Sequence, residues 1–287
     1  MKCKPIYEFL LWDNCNNHCK FCFQRDNPRL FNFNQREIIL NKVITFLESD
    51  KFIKGSHILV VGGEIFDKAK DFPILKKFFD KIVLKMLNNT IDLLYINTNL
   101  IYKDMTGVWN LLDCLVKNNL LQRLRFTTSY DLAGRFKSID DKNLMLSNLK
   151  NISKNYLNCP VVTNIILTKQ VCNAIYNHNL SIKNFMKEYT TKVNLIPYII
   201  YDESLAPDLE EIVEALQVVD KEVPGYISRY ILNLDLAQDK LLYKFENGKF
   251  NFCSCENGKC GHSINFKRYS NHNSCFICDL KRIFNDN

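Results

Sequence analysis

Residues 12–24 read WDNCNNHCKFCFQ and set Cys15, Cys19 and Cys22 within eight residues. Directly before them, IYEFLLW (6–12) is an apolar run of strand length, so the thiols sit on a loop delivered by a buried strand. Thiols crowded in this way serve as zinc ligands, as redox partners, as core filler or as the cradle of an iron–sulfur cluster. A closed structural zinc site takes four ligands. His18 is the nearest fourth, but it lies between Cys15 and Cys19, an awkward place on so short a loop. Three thiolates around a [4Fe-4S] cluster instead leave one iron open. An open coordination position is where a metal centre meets a reacting molecule, as at a catalytic zinc.

Outward from this loop, strand-like and helix-like segments alternate. A helix is expected at 35–49, with Ile39, Val43, Phe46 and Leu47 on one face. HILVV (57–61) is a short strand stopped by Gly62 and Gly63. Further strands are expected at 92–99, 121–130, 160–168 and 192–200, and further helices at 73–87, 107–117, 141–155 and 181–189. Six β-units separated by helices predict an α/β chain with a parallel sheet wound by right-handed crossovers. The count fits a partial (β/α)6 barrel and is too low for a closed eight-fold one; an open doubly wound sheet is the competing arrangement. The near-continuous apolar strands fit burial on both faces. A helix near 207–221 and Pro224–Gly225 then change the pattern. The expected organisation is a barrel over 1–205, a helical connecting segment over 206–249 and a cysteine-rich metal-binding extension over 250–287.

The chain has 287 residues, 47% of them hydrophobic and 24% charged, which is ordinary for a globular protein. No apolar run approaches the eighteen or so residues that span a bilayer, and Glu8 interrupts a start already too short for a signal peptide. A cytoplasmic address without membrane contact is therefore expected. Twelve cysteines in that setting point to metal or catalysis rather than to a disulfide scaffold. Cys3, Cys114, Cys159 and Cys172 are scattered and read as small apolar residues. The formal charge of +7 is spread along the chain with no block of like charges. It permits a nucleic-acid partner without favouring one.

C-x-x-x-C-x-x-C with Phe21 ahead of the last cysteine resembles the signature of the radical S-adenosylmethionine (radical SAM) superfamily, which carries this loop after the first barrel strand. Later positions repeat the resemblance in order. Gly62, Gly63 and Glu64 resemble the G-G-E motif that meets the amino group of SAM, with Ile65 where the family often has proline. Glycines let backbone approach a ligand, and a carboxylate pairs with an ammonium. Asn97, Thr98 and Asn99 match a polar triplet at the end of the third strand. Ser129 and Asp131 match an S-x-D element that contacts SAM. TNIILT places Asn164 like the inward asparagine of the fifth strand. The resemblance covers residues 5–200. It implies a [4Fe-4S] cluster on Cys15, Cys19 and Cys22, SAM held by Gly62, Gly63, Glu64, Asn97, Asn99, Ser129 and Asn164, and hydrogen abstraction from a substrate. It also implies an electron donor such as a flavodoxin or ferredoxin.

The tail FCSCENGKCGHSINFKRYSNHNSCFICD (252–279) holds five cysteines. It resembles a reduced form of the SPASM or twitch extensions that carry auxiliary clusters in this superfamily. Cys255, Cys260, Cys275 and Cys278 are the expected ligands of either a second [4Fe-4S] cluster or a zinc ion, with Cys253 spare. By family analogy such a tail points to a peptide or peptide-like substrate, or another small molecule. Modification of a nucleotide or RNA is an alternative. So is a non-catalytic zinc- or cluster-binding adaptor.

Overall fold

The parallel sheet expected from the alternating segments is present, and its strand order decides between the two candidate architectures. The computed structural model describes residues 5–20, 22, 28, 30–157, 159–197, 203–229, 242–246, 249–253 and 283–284. Strands β1 (Ile6–Leu10), β2 (Ser56–Val61), β3 (Ile91–Asn97), β4 (Leu124–Tyr130), β5 (Val161–Leu167) and β6 (Lys192–Pro197) follow one another in the sheet, each parallel to the strand before. A doubly wound sheet reverses direction at a switch point. Here the order runs β6-β5-β4-β3-β2-β1 without reversal, which is the winding of a partial barrel.

Helices α1 (Phe33–Glu48), α2 (Phe72–Leu87), α3 (Thr106–Lys117) and α4 (Ile139–Asn155) form the successive crossovers. Local chemistry fixes where they begin. Asn32 and Gln35 close a capping box on α1, and Ser138 accepts from the Asp141 amide at the start of α4. Between β5 and β6 the structure has two short helices, α5 (Lys169–Tyr176) and α6 (Ile182–Tyr189), where one was expected. Helix α7 (Leu209–Glu222), capped by Asp208 and Glu211, lies against α5 and α6 and buries Ile212, Leu216 and Val219 in the same core as the barrel.

Burial of the sheet is unequal, in contrast to the two buried faces that near-continuous apolar strands predict. One face carries Phe9, Val60, Ile96, Phe126 and Ile165, all fully buried beneath the helices. The other face alternates with it and is only half-buried, as β4 and β5 show with their strict alternation. That second face is the concave interior of the open barrel.

Two strands extend the sheet beyond the expected six. β7 (Leu242–Glu246) pairs in parallel with β1, and β8 (Lys249–Cys253) pairs antiparallel with β7. Strand β1 therefore has neighbours on both sides. Among the described residues no helix is long and apolar enough to cross a membrane.

Candidate functional site

The loops that leave the C-terminal ends of β2 to β4 converge on the cysteine loop that leaves β1. Beyond Leu10 the chain continues beside β2. The Leu11 amide donates to Val61 O at 3.0 Å, Gly63 to Trp12 O at 2.7 Å and Glu64 to Asn14 O at 2.7 Å. This contact explains the glycine pair. A Cβ on Gly63 would stand 2.1 Å from the Asn14 carbonyl oxygen, and one on Gly62 would stand 2.9 Å from that of Trp12. These glycines let the cysteine loop approach.

Glu64 points inward from the same turn and is 1% exposed. Its carboxylate accepts from Thr98 Oγ1 at 3.0 and 2.9 Å, from the Asn99 amide at 2.5 Å and from the Phe66 amide at 3.1 Å. Burial nevertheless dominates and pushes the carboxyl up to about 7, against the lowering effect of those donors. The Tyr102 hydroxyl sits 3.0 Å from Thr98 Oγ1 and extends the buried chain. Glu64 thus ties the end of β2 to the turn after β3, with both oxygens engaged.

That turn reaches the cysteines through Asn99. Its side-chain amide donates to Asn16 Oδ1 at 2.7 Å and to Cys15 Sγ at 3.5 Å, while its oxygen accepts from the Ile101 amide at 2.7 Å. Asn16 returns a hydrogen bond to Ile101 O. From the other side, the loop after β4 holds the cysteine loop by its backbone. Lys20 N donates to Gly134 O at 2.8 Å, Asn17 Nδ2 to Arg135 O at 2.8 Å, and Lys137 Nζ to Asn16 O at 2.8 Å. Asp131 shapes this β4 turn by accepting from the Ala133 and Gly134 amides at 2.6 and 2.7 Å. It is fully buried, and that burial raises its carboxyl.

The cysteines themselves are half-buried. Burial pushes the Cys15 thiol up to about 11 and raises that of Cys19. A thiol in that condition is a poor free nucleophile. Three N–H groups point at the sulfurs: Asn17 N and Asn99 Nδ2 at Cys15, and Asn17 Nδ2 at Cys19, 3.3 Å away. Donors of this kind suit thiolates that are metal ligands. His18 is exposed, and among the described residues no three Cys, His, Asp or Glu side chains converge on the position of one metal ion. An iron–sulfur cluster does not need such convergence, because each thiolate binds a different iron. Three cysteine thiols with N–H donors on two of them suit the three-thiolate ligation of an iron–sulfur cluster.

The remaining expected SAM contacts lie apart from this mesh. Asn97 is exposed at the end of β3, while Ser129 and Asn164 are half-buried on the concave face. Ser129 stands level with Asn164, which stands level with Asn194, and Asn194 Nδ2 donates to Asn164 Oδ1 at 3.1 Å. Phe21 and the tail cysteines Cys255, Cys260, Cys275 and Cys278 fall outside the described residues. The second cluster or zinc site expected there lies outside them too.

Several residues of the site escape sequence reading. Asn16 and Asn17 read as loop filler between cysteines. Arg36 reads as a surface position of α1, yet it is buried. It donates to Asp71 at 2.8 Å and to Phe31 O at 2.7 Å and lies 5.6 Å over the Trp12 ring, clasping both sides of the cysteine loop. An arginine among the apolar positions of a helix was the available signal.

No protein-family model matches the chain. No curated protein matches it in sequence. Among solved structures, it is similar to histidine-tagged anSMEcpe with bound AdoMet, at a TM-score of 0.57 and 14% identity over 88% of this chain and 72% of the other. It is similar to native anSMEcpe with bound AdoMet and the Cp18Cys peptide, at 0.58 and 13% over 97% and 87%. The form of that protein with AdoMet and the Kp18Cys peptide matches at 0.50 and 14% over 81% and 62%. At these identities what is shared is the fold. The chain has the partial-barrel architecture of these AdoMet-bound proteins.

Proposed function

We propose that the chain is a radical SAM enzyme acting on a peptide or peptide-like substrate. The observation that carries this reading is the cysteine loop after β1. Its three thiols stand at the mouth of a partial barrel shared with AdoMet-bound proteins, and N–H donors are aimed at two of its sulfurs.

In this reading Cys15, Cys19 and Cys22 would hold a [4Fe-4S] cluster that binds SAM. When bound, such a cluster would supply the electron for reductive cleavage of SAM to methionine and a 5′-deoxyadenosyl radical able to take a hydrogen atom from the substrate. The protein's part is positioning and the exclusion of water. Gly62, Gly63 and Glu64 form a rigid floor: the glycines seat the cysteine loop and Glu64 fixes the 98–99 turn from beneath. Asn99 orients Asn16 and Cys15 from that turn. Asn97, Ser129 and Asn164 offer uncharged polar groups to SAM along the concave face, and the open side of the barrel admits an extended substrate. The peptide reading draws on the fold shared with anSMEcpe, two of whose structures hold peptides.

The test is anaerobic reconstitution with iron and sulfide, then incubation with dithionite and SAM. Four irons at the barrel site and 5′-deoxyadenosine by mass spectrometry are expected. A cluster-loaded protein that forms no 5′-deoxyadenosine sinks the enzymatic reading. Adding candidate peptides and following their mass separates a peptide substrate from a nucleotide.

A further inference from the structure

One residue between the cysteines donates N–H groups to two of the three thiols. Asn17 is 5% exposed, although it lies on a loop flanked by the exposed His18. Its backbone amide donates to Cys15 Sγ at 3.4 Å. Its side-chain amide has two hydrogens and two acceptors: Cys19 Sγ at 3.3 Å and the Arg135 carbonyl at 2.8 Å. The short bond to Arg135 O fixes the plane of the carboxamide. The second hydrogen is thereby aimed at Cys19 rather than left to rotate.

We propose that Asn17 is a positioning and tuning residue that bridges two cluster thiolates and raises the reduction potential of the cluster they hold. This rests on the assignment of a [4Fe-4S] cluster to Cys15, Cys19 and Cys22. Reduction adds negative charge to the cluster and its thiolates. An N–H dipole aimed at a thiolate sulfur stabilises the reduced state more than the oxidised one, and hydrogen bonds to sulfur are among the levers that set cluster potentials. The site is partly buried, so water screens this dipole poorly. The bond to Arg135 O does a separate job, docking the cysteine loop against the loop after β4. Asn17 therefore couples the placement of the cluster to its ease of reduction.

The experiment is an anaerobic redox titration of the reconstituted full chain, followed by electron paramagnetic resonance, with iron counted on the same samples. Asn17→Ala removes one N–H···S bond and leaves the backbone donor to Cys15 in place. At fixed solution potential the ratio of reduced to oxidised cluster is expected to fall about threefold, a shift of roughly 28 mV to lower potential at 59 mV per decade. Asn17→Asp keeps the shape but sets a carboxylate against the thiolate, and a larger shift in the same direction is expected. An unchanged midpoint in both variants, whatever their iron content, overturns the proposal, because a residue that only anchors the loop changes loading and not potential. Should neither variant hold a cluster, the wild-type protein decides the matter. With asparagine labelled by ¹⁵N, pulsed resonance of the reduced cluster should show a weakly coupled side-chain nitrogen that persists when Asn99, the other asparagine aimed at a thiol, is changed to Ala, and its absence overturns the proposal. A wild-type protein that takes up no cluster refutes the cluster assignment itself. A loaded cluster that shifts with Asn17 yet forms no 5′-deoxyadenosine leaves the tuning role standing and removes only the enzymatic reading.

Discussion

Glu64 has both carboxylate oxygens bonded and almost no exposure, and its burial raises the carboxyl to about 7 from an ordinary value of 4.5. Folding therefore favours the protonated form. The stability associated with this group is fully present below pH 4.5 and is lost as pH rises through 7, on the order of 3 kcal/mol by linkage. The metal-free protein should show a urea midpoint that declines between about pH 5 and pH 8, and Glu64→Gln should flatten that decline. Equal slopes for the two proteins would show that the carboxyl is not shifted. Cys22 gives a simpler expectation. Cys22→Ala should leave the fold intact, because the side chain is only half-buried, while abolishing cluster uptake and 5′-deoxyadenosine formation. Undiminished iron in that variant would remove Cys22 from the ligand set. At this scale the sequence announced the thiols and Glu64 through their spacing and neighbours. It concealed Asn17 and Arg36, whose importance comes from partners 118 and 35 residues away.

The β2 turn seats the cysteine loop by backbone approach without side chains, and Gly63 is the tightest point. A Cβ there collides with backbone rather than with a flexible side chain, so Gly63→Ala must displace Asn14 or the β2 turn. Overpacking of this sort costs about 1–3 kcal/mol. Gly55 supplies the control. Its φ is +75° but nothing lies within 4 Å of its added Cβ, so Gly55→Ala should cost about 1 kcal/mol through backbone strain alone. Thermal melts together with iron content separate the two cases: Gly63→Ala should lose loading as well as stability, Gly55→Ala stability only. The long helices and the six central strands were legible because their apolar periods run over many residues. Helix α5 was not, since Thr168 caps it directly at the end of β5 and no turn residues separate strand from helix. Strands β7 and β8 did leave a sign. LYKFE and KFNFC alternate on either side of Asn247–Gly248, a strong hairpin dipeptide, but the nearby cysteines give the same stretch the look of a metal-binding tail.

For the molecule as a whole, the open barrel makes stability uneven. Among the described residues β6 ends the sheet and bonds only to β5, whereas β3 and β4 are paired on both sides and buried on one face. Edge strands open more readily than central ones. Amide hydrogen exchange read by mass spectrometry should find residues 192–197 exchanging at least about tenfold faster than 93–97 and 124–130. Uniform protection across the sheet would mean that the open side is closed in solution. The opposite end of the sheet carries a consequence for synthesis. Tyr7 is level with Tyr243 in the β1–β7 pairing, so the strand that delivers the cysteines keeps one bare edge until residues beyond 240 have left the ribosome. Strands β2 to β6 are all made before that. During translation the cysteine loop is thus born early on an unfinished edge, a template for wrong pairing between nascent chains. Cluster delivery before the last strands emerge would load a half-flanked site, and delivery afterwards a fully framed one.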